Sequence, residues 1–222
     1  MELEKAQISL KNISKIYGKH KILDKVNLDI YKQDFICIFG KSGSGKTTIL
    51  NIIGTLEDYN DGQLICFSKK DPVRNEKESE LLRRMKIAYL FQNFALVEKM
   101  TVEENMLLAS KYNKEKNKKN LIENSLNEMG VLDKLKSKVY ELSGGEQQRV
   151  ALARNMIKPF EIMLADEPTG SLDKENKNIV MNSLINLNKK GKTIVVVSHD
   201  KDFEKLANKN YFLENGKLNF IG

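Results

Sequence analysis

Cysteine is scarce in this chain: Cys37 and Cys66 are the only two among 222 residues. They stand far apart and read as small buried apolar side chains, not as a disulfide or a metal pair. Long hydrophobic runs are missing too. No stretch approaches the ~20 apolar residues that a spanning helix requires. The most apolar segments, Ile49 to Ile53 and Ile194 to Val197, have the length of a core helix and a core strand. The opening residues Met1-Glu2-Leu3-Glu4-Lys5 lack the apolar region of a secretory signal. These absences lead to the expectation of a cytosolic protein. No internal repeat, no sustained heptad pattern and no Asn-Lys-x-Asp guanine reader is present.

What remains is a composition of 41% hydrophobic and 30% charged residues. That is enough to build a core in one large domain, or in one domain with an inserted lobe. The formal charge of +7 fits nucleic acid, an anionic membrane surface or plain solubility. Its one cluster, Lys114-Glu115-Lys116-Asn117-Lys118-Lys119, reads as a solvated helix start or loop. Arg83 and Arg84 are left open between a partner and water, and His20 reads as solvated.

The pattern along the chain predicts antiparallel strands first. Ile8, Leu10 and Ile13, then Val26, Leu28 and Ile30, recur with the strand period, with a turn over Gly18-Lys19-His20-Lys21. Asp34 to Phe39 reads as a buried strand and Thr47 to Ile53 as a helix. A turn at Asn60-Asp61-Gly62 precedes a strand from Gln63 to Phe67. Glu76 to Met85 reads as a helix and Ile87 to Phe91 as a strand. Thr101 to Tyr140 reads mostly as helix, opening on the capping box Thr101-x-x-Glu104. Then helix to Met156, strand Glu161 to Ala165, helix Glu175 to Lys189 and strand Thr193 to Val197 alternate, which implies parallel strands joined by helices. Asn215-Gly216 predicts a type I′ hairpin in the tail.

The most informative segment is Gly40-Lys41-Ser42-Gly43-Ser44-Gly45-Lys46-Thr47-Thr48, which fits G-x-x-x-x-G-K-[ST] between a strand and a helix. That geometry aims backbone N–H groups and a helix N-terminus at one anion. Lys46 is expected to reach the β- and γ-phosphates, and Thr47 to place its hydroxyl on Mg2+. The apolar strand Ile162 to Ala165 ends in Asp166 and Glu167. Asp166 is the candidate magnesium ligand, and Glu167 the candidate to polarise an attacking water. Ser143-Gly144-Gly145, in Leu142-Ser143-Gly144-Gly145-Glu146-Gln147-Gln148-Arg149, is either a second anion site or a helix start capped by Ser143.

The ordered set of motifs resembles the ATP-binding cassette (ABC) ATPases over essentially the whole chain. Leu142 to Gln148 looks like their signature motif, and Gly40 to Thr48 like their phosphate loop. The resemblance implies that Tyr17 stacks on adenine. It makes Gln92, in Phe91-Gln92-Asn93, the residue linking Mg2+ and water to a membrane partner. It makes Ser143, Gly144 and Gly145 a contact to ATP, and Asp166 and Glu167 the magnesium aspartate and catalytic glutamate. Ser171-Leu172-Asp173 becomes a loop at a dimer interface, and His199 the switch histidine.

It further implies an α/β fold: a phosphate-loop NTPase core with a mostly parallel sheet, an N-terminal antiparallel β subdomain and an inserted helical subdomain. The whole of 1–222 would be one ATPase domain, with the core at about 1–91 and 144–222 and the helical subdomain at about 92–143. Two copies would pack head to tail with ATP and Mg2+ between the phosphate loop of one and the signature of the other. An integral membrane permease would dock in a groove near Gln92, placing the chain at the inner face of the cell membrane. Asn51 to Leu56, Phe91 to Leu96 and Asp166 to Asp173 resemble the branch that releases lipoproteins or exports macrolides and antimicrobial peptides, working by mechanotransmission. Alternatives are a regulator of cell-wall hydrolases at division, or a soluble ABC ATPase acting on nucleic acid or ribosomes. No nucleic-acid partner is expected.

Overall fold

Strands β1 (Ile8–Tyr17) and β2 (His20–Ile30) form a long hairpin in which Tyr17 lies opposite His20. The turn is therefore Gly18-Lys19 alone. Pairing resumes two residues earlier than the composition of the turn implied, so His20 opens β2, still exposed. The structure is a computed structural model and describes residues 5–170 and 172–222. Ser171, expected at a dimer interface, and Met1 to Glu4 lie outside the described residues.

After β2 come β3 (Phe35–Phe39), α1 (Lys46–Ile53), β4 (Asp61–Cys66), β5 (Lys69–Lys70), α2 (Glu76–Met85), β6 (Ile87–Leu90), α3 (Val102–Ser110) and α4 (Lys118–Glu128). The chain continues through α5 (Gly144–Met156), β7 (Ile162–Asp166), α6 (Lys174–Lys189), β8 (Thr193–Val197), β9 (Lys209–Glu214) and β10 (Lys217–Phe220).

Two sheets result. One is antiparallel, in the order β2-β1-β4-β5. The other runs β10-β9-β3-β8-β7-β6, parallel except where β10 turns back on β9. Asn215 and Gly216 in that turn both have positive φ, 50° and 74°, the backbone of a type I′ turn.

The parallel strands are apolar without interruption because both their faces are covered. Alternate residues serve different layers. Ile36, Ile38, Val195, Val197 and Leu164 pack with α1 and the antiparallel sheet. Cys37, Ile194, Val196, Met163 and Ala165 pack with the helices on the other side. Each fully buried branched side chain contributes about 1.5–3 kcal/mol, so the centre of this sheet is the rigid part of the molecule. Both cysteines are buried and free, and burial pushes the Cys66 thiol up to about 12.

The middle segment departs from its expectation. α3 starts as predicted, with Thr101 and Glu104 exchanging capping-box hydrogen bonds. After α4, however, only single 3-10 turns form, at Leu132–Lys134 and Val139–Glu141. Between them the backbone leaves the helical path to pair with the start of α3. Val102 N–H donates to Ser137 O at 3.0 Å and Val139 N–H to Met100 O at 3.1 Å. Tertiary hydrogen bonds thus override the helical composition of 131–140.

Candidate active site

Four neighbouring strands of the parallel sheet each end in one of the predicted motifs. β3 runs into Gly40, β8 into Ser198-His199, β7 into Asp166-Glu167 and β6 into Phe91-Gln92. The register puts Ile38 beside Val197, Val197 beside Asp166 and Ala165 beside Leu90. The motifs therefore arrive in one row at the carboxyl edge of the sheet, where open α/β sheets bind ligands. A cavity of about 700 Å3 lies over this row.

The glycine loop forms one wall. Gly45 is the N-cap of α1 with φ 100°, a conformation that lets the loop reverse into the helix. A Cβ on Gly40 would lie 2.6 Å from Leu213 O, so no side chain fits where the loop leaves β3. Lys46 is only 8% exposed, and its ammonium donates to Gly40 O at 2.8 Å and Lys41 O at 3.1 Å. It lies 3.7 Å from Glu167 Oε1. Lys41, Ser42, Gly43, Thr47 and Thr48 also line the cavity. Ser44 does not. Its N–H donates to Lys41 O at 3.1 Å, its hydroxyl oxygen is buried without a partner, and the residue lines a smaller adjoining cleft instead.

Opposite the loop, Glu167 sits at φ 43°, an uncommon backbone for a residue other than glycine. Its Oε2 accepts from Ser198 Oγ at 3.1 Å and from the His199 backbone N–H at 3.3 Å, with His199 Nδ1 2.9 Å away. The carboxylate is pinned, whereas the His199 side chain is 69% exposed. Asp166 is 5% exposed, and its Oδ1 has no hydrogen-bond partner. Burial raises the Asp166 carboxyl above its usual range, with the Thr47 hydroxyl opposing the shift. A buried carboxylate oxygen without a partner, sharing the cavity with Thr47 and Gln92, fits a small hard cation. Among the described residues no three acidic, His or Cys side chains converge on a metal. Any Mg2+ here would depend on phosphate oxygens for much of its shell.

Tyr17 stands at the rim, 46% exposed, its hydroxyl bonded to Glu57 and Lys15 Nζ 4.8 Å from its ring centroid. Gln92 is exposed and lines the same cavity.

Ser143, Gly144, Gly145 and Asp173 do not line it. Ser143 caps α5 through a capping box with Glu146, accepting from Glu146 N–H at 3.3 Å while Ser143 N–H donates to Glu146 Oε2 at 2.8 Å. A Cβ on Gly144 would meet nothing within 4 Å, so that turn is open to the outside. Asp173 caps α6, accepting from Asn176 N–H at 2.8 Å. These bonds to Asn176 hold its carboxyl below the usual range.

Three supporting residues were not assigned from sequence. Gln148 is buried on α5 and donates to Pro168 O at 2.9 Å. Arg154, at the other end of that helix, donates to the carbonyls of Phe94 (3.1 Å) and Ala95, bracing the loop after Gln92. Ser198 holds Glu167 as described. Gln148 closes the signature motif and Ser198 immediately precedes His199, yet neither was given a role; Arg154 carried no local signal.

A glycine cradle, a buried lysine and two acids at the carboxyl edge of a parallel sheet define a phosphate-loop nucleotide-binding protein. The family model described as ABC transporter matches residues 23–170. The chain belongs to that family and is an ATP-hydrolysing cassette of an ABC transporter. It is 42% identical over 217 residues to a macrolide export ATP-binding/permease protein, MacB, of Campylobacter jejuni, covering 95% of this chain but 33% of that protein. It is 39% identical over 211 residues to the lipoprotein-releasing system ATP-binding protein LolD of Aquifex aeolicus, covering 93% of each. The chain thus spans about a third of the macrolide exporter and nearly all of the lipoprotein-releasing subunit. Among solved structures it resembles the dimeric ABC transporter cassette MJ0796, with a TM-score of 0.88, 36% identity and coverage of 95% and 96%. A post-hydrolysis dimer of the same cassette bound to ADP and Pi matches with a TM-score of 0.87 and 33% identity. The α/β architecture expected from sequence is the observed one.

Proposed function

We propose that two copies of this chain close head to tail on ATP, and that the closure drives a separate membrane permease which exports or extrudes peptides, lipoproteins or antimicrobials. The observation that carries this reading is the separation of two half-sites. The phosphate loop, Asp166, Glu167 and His199 share a cavity, while the Ser143-Gly144-Gly145 turn lies outside its lining, open at Gly144. One chain presents a cradle and, elsewhere, an unused anion-binding helix start. The dimeric relatives and the names of the macrolide and lipoprotein systems support the same reading. The chain then works at the cytoplasmic face of the cell membrane as one domain, with 92–143 as its helical subdomain.

In this proposal Tyr17 packs on adenine and the loop amides of 40–48 hold the phosphates. Lys46 exchanges its carbonyl contacts and Glu167 for the β- and γ-phosphate oxygens. Thr47, Asp166 and Gln92 would hold Mg2+, which neutralises phosphate charge when bound. Glu167, fixed by Ser198 and His199, orients the attacking water and takes its proton. With Nδ1 engaged by Glu167, His199 has Nε2 left to donate to the γ-phosphate when the ring is protonated. Ser143, Gly144 and Gly145 of the second copy complete the anion shell, with Asp173 beside them at the interface. Closure favours the dimer only in proportion to the differential affinity of ATP for it.

The test combines Glu167→Gln, to stop turnover, with Ser143→Arg, to obstruct the signature turn. Glu167→Gln alone should form an ATP-dependent dimer by light scattering. The double variant should bind ATP with similar affinity and stay monomeric. A double variant that still dimerises on ATP sinks the head-to-tail reading.

A further inference from the structure

Tyr17 ends β1 half-exposed beside the hairpin turn, a place that by itself leaves a ring several rotamers. Its hydroxyl donates to Glu57 Oε1, and Lys15 Nζ lies over one face of the ring, 4.8 Å from the centroid. Lys15 is held in turn, donating to Asp58 O at 2.7 Å and standing 3.0 Å from Glu57 Oε1. Glu57 is backed by α1. The Tyr89 hydroxyl donates to Asn51 Oδ1 at 2.7 Å, which turns the Asn51 amide toward Glu57 Oε2, 3.5 Å away. Asn51 belongs to the helix whose first residues are Lys46, Thr47 and Thr48. The chain reaches Glu57 through a tight turn in which buried Thr55 has φ 56°. There Leu56 N–H donates to Asn51 O at 2.9 Å and Arg83 Nη1 to Thr55 O at 2.7 Å. Burial works against the Glu57 charge, but the Tyr17 hydroxyl and Lys15 together outweigh it and hold the carboxyl below its usual range. Burial and Glu57 raise the Tyr17 phenol, with the Thr48 hydroxyl opposing, so Tyr17 keeps its proton and remains the donor.

We propose that Glu57 is a positioning residue for the nucleotide base: it ties the Tyr17 hydroxyl and Lys15 to α1, so that the ring stands in one place beside the phosphate loop, with one face taken by Lys15 and the other left for the base. This rests on the reading that Tyr17 packs on adenine, and it names what orders that contact. One helix carries both halves of the arrangement. The first turn of α1 faces the phosphates and its Asn51 backs Glu57, so the spacing from base to phosphates is built into α1. A ring that is ordered before the nucleotide arrives need not be immobilised on binding. The entropy loss avoided corresponds to about three- to tenfold in affinity.

The test compares ADP with inorganic pyrophosphate, which has the phosphates and lacks the base. Neither is turned over, and both are measured on the isolated chain with Mg2+ by displacement of a fluorescent ADP analogue. Glu57→Leu should weaken ADP about three- to tenfold and leave pyrophosphate within about twofold. Glu57→Gln, whose amide oxygen still accepts from Tyr17, should stay close to the parent for both ligands. Tyr17→Phe removes the hydroxyl and should match Glu57→Leu, and combining the two should weaken ADP no further. Pyrophosphate bound at the parental affinity reports an intact fold. Parental ADP affinity in both Glu57→Leu and Tyr17→Phe, or an equal loss of both ligands in each, overturns the positioning role. Tyr17→Ala separates that role from the reading beneath it. If Tyr17→Ala lowers the preference for ADP over pyrophosphate while the Glu57 and Tyr17→Phe variants do not, only Glu57 loses its assignment. If Tyr17→Ala leaves the preference unchanged, adenine does not rest on Tyr17 and both fall.

Discussion

Replacing Glu167 by Gln keeps the shape of the side chain and removes its charge and basicity. The structure says where that change is felt. Glu167 Oε2 accepts from Ser198 Oγ and from the His199 N–H, and a glutamine oxygen can take both bonds. The amide nitrogen then faces the Lys46 ammonium across the present 3.7 Å gap. Lys46 loses an anionic neighbour worth a gross attraction of about 4 kcal/mol at an effective dielectric constant of ~20, most of it offset by desolvation. A lysine freed from that pairing is better placed for phosphate. ATP affinity should therefore hold or tighten, by up to about tenfold. Turnover should fall by about 10²- to 10⁴-fold, the range for loss of a positioned general base, which is about 3–5 kcal/mol of barrier at 1.36 kcal/mol per decade. Phosphate release under single-turnover conditions measures the rate, and titration with a fluorescent ATP analogue measures binding. Turnover within tenfold of the parent would remove Glu167 from the chemical step. Weaker ATP binding would refute the account of Lys46 release.

Other substitutions separate binding from chemistry. Lys46→Ala should weaken ATP binding itself, since it removes the one buried cation facing the loop carbonyls; unchanged affinity by the same titration would contradict its role. Asp166→Asn should raise the Mg2+ concentration for half-maximal rate by about tenfold or more while metal-free nucleotide binding changes little, read from metal titrations of phosphate release. Lys158 gives a pH signature. Its folded pKa of about 8 lies below the unfolded value of about 10.4, so in that window the unfolded chain binds more protons and stability rises with pH. The burial penalty is complete below about pH 8. Thermal melts should show wild type gaining on Lys158→Met between pH 8 and 10, and a constant difference would mean that the ammonium is not desolvated.

The motifs were legible because each occupies a short run at the end of an element whose period is also legible. Gly40 to Thr48 sits between a five-residue apolar strand and an apolar helix, and Asp166-Glu167 ends another such strand. Once those strands are parallel neighbours, register alone brings the motifs into one row. Less legible was whatever depends on long-range pairing. The stretch 131–140 has helical composition, yet it spends its backbone hydrogen bonds on Met100 and on the start of α3. Arg154 looks like any arginine on an amphipathic helix, and its function as a brace appears only when the loop at 94–95 is seen to lack other donors. Glu167's positive φ was equally invisible, because nothing in its type announces it.

These late-appearing contacts share one element. α5 begins at Ser143, places Gln148 on the Pro168 carbonyl behind Glu167, and ends with Arg154 on the loop after Gln92. Its buried face, from Val150 to Ala153, is packed at 0% exposure, so its ends are not free to move independently. In the proposed sandwich, a phosphate of the second copy engages the Ser143 end. The resulting force has a direct rigid route to the Arg154 end, which holds the loop after Gln92. A helix whose first turn is an anion site and whose last turn holds a docking loop is a physical link between ATP and the partner. Arg154→Met should therefore leave ATP-dependent dimerisation of Glu167→Gln intact while lowering the stimulation of ATPase by the permease. If that variant dimerises normally and is stimulated normally, coupling runs by some path other than α5.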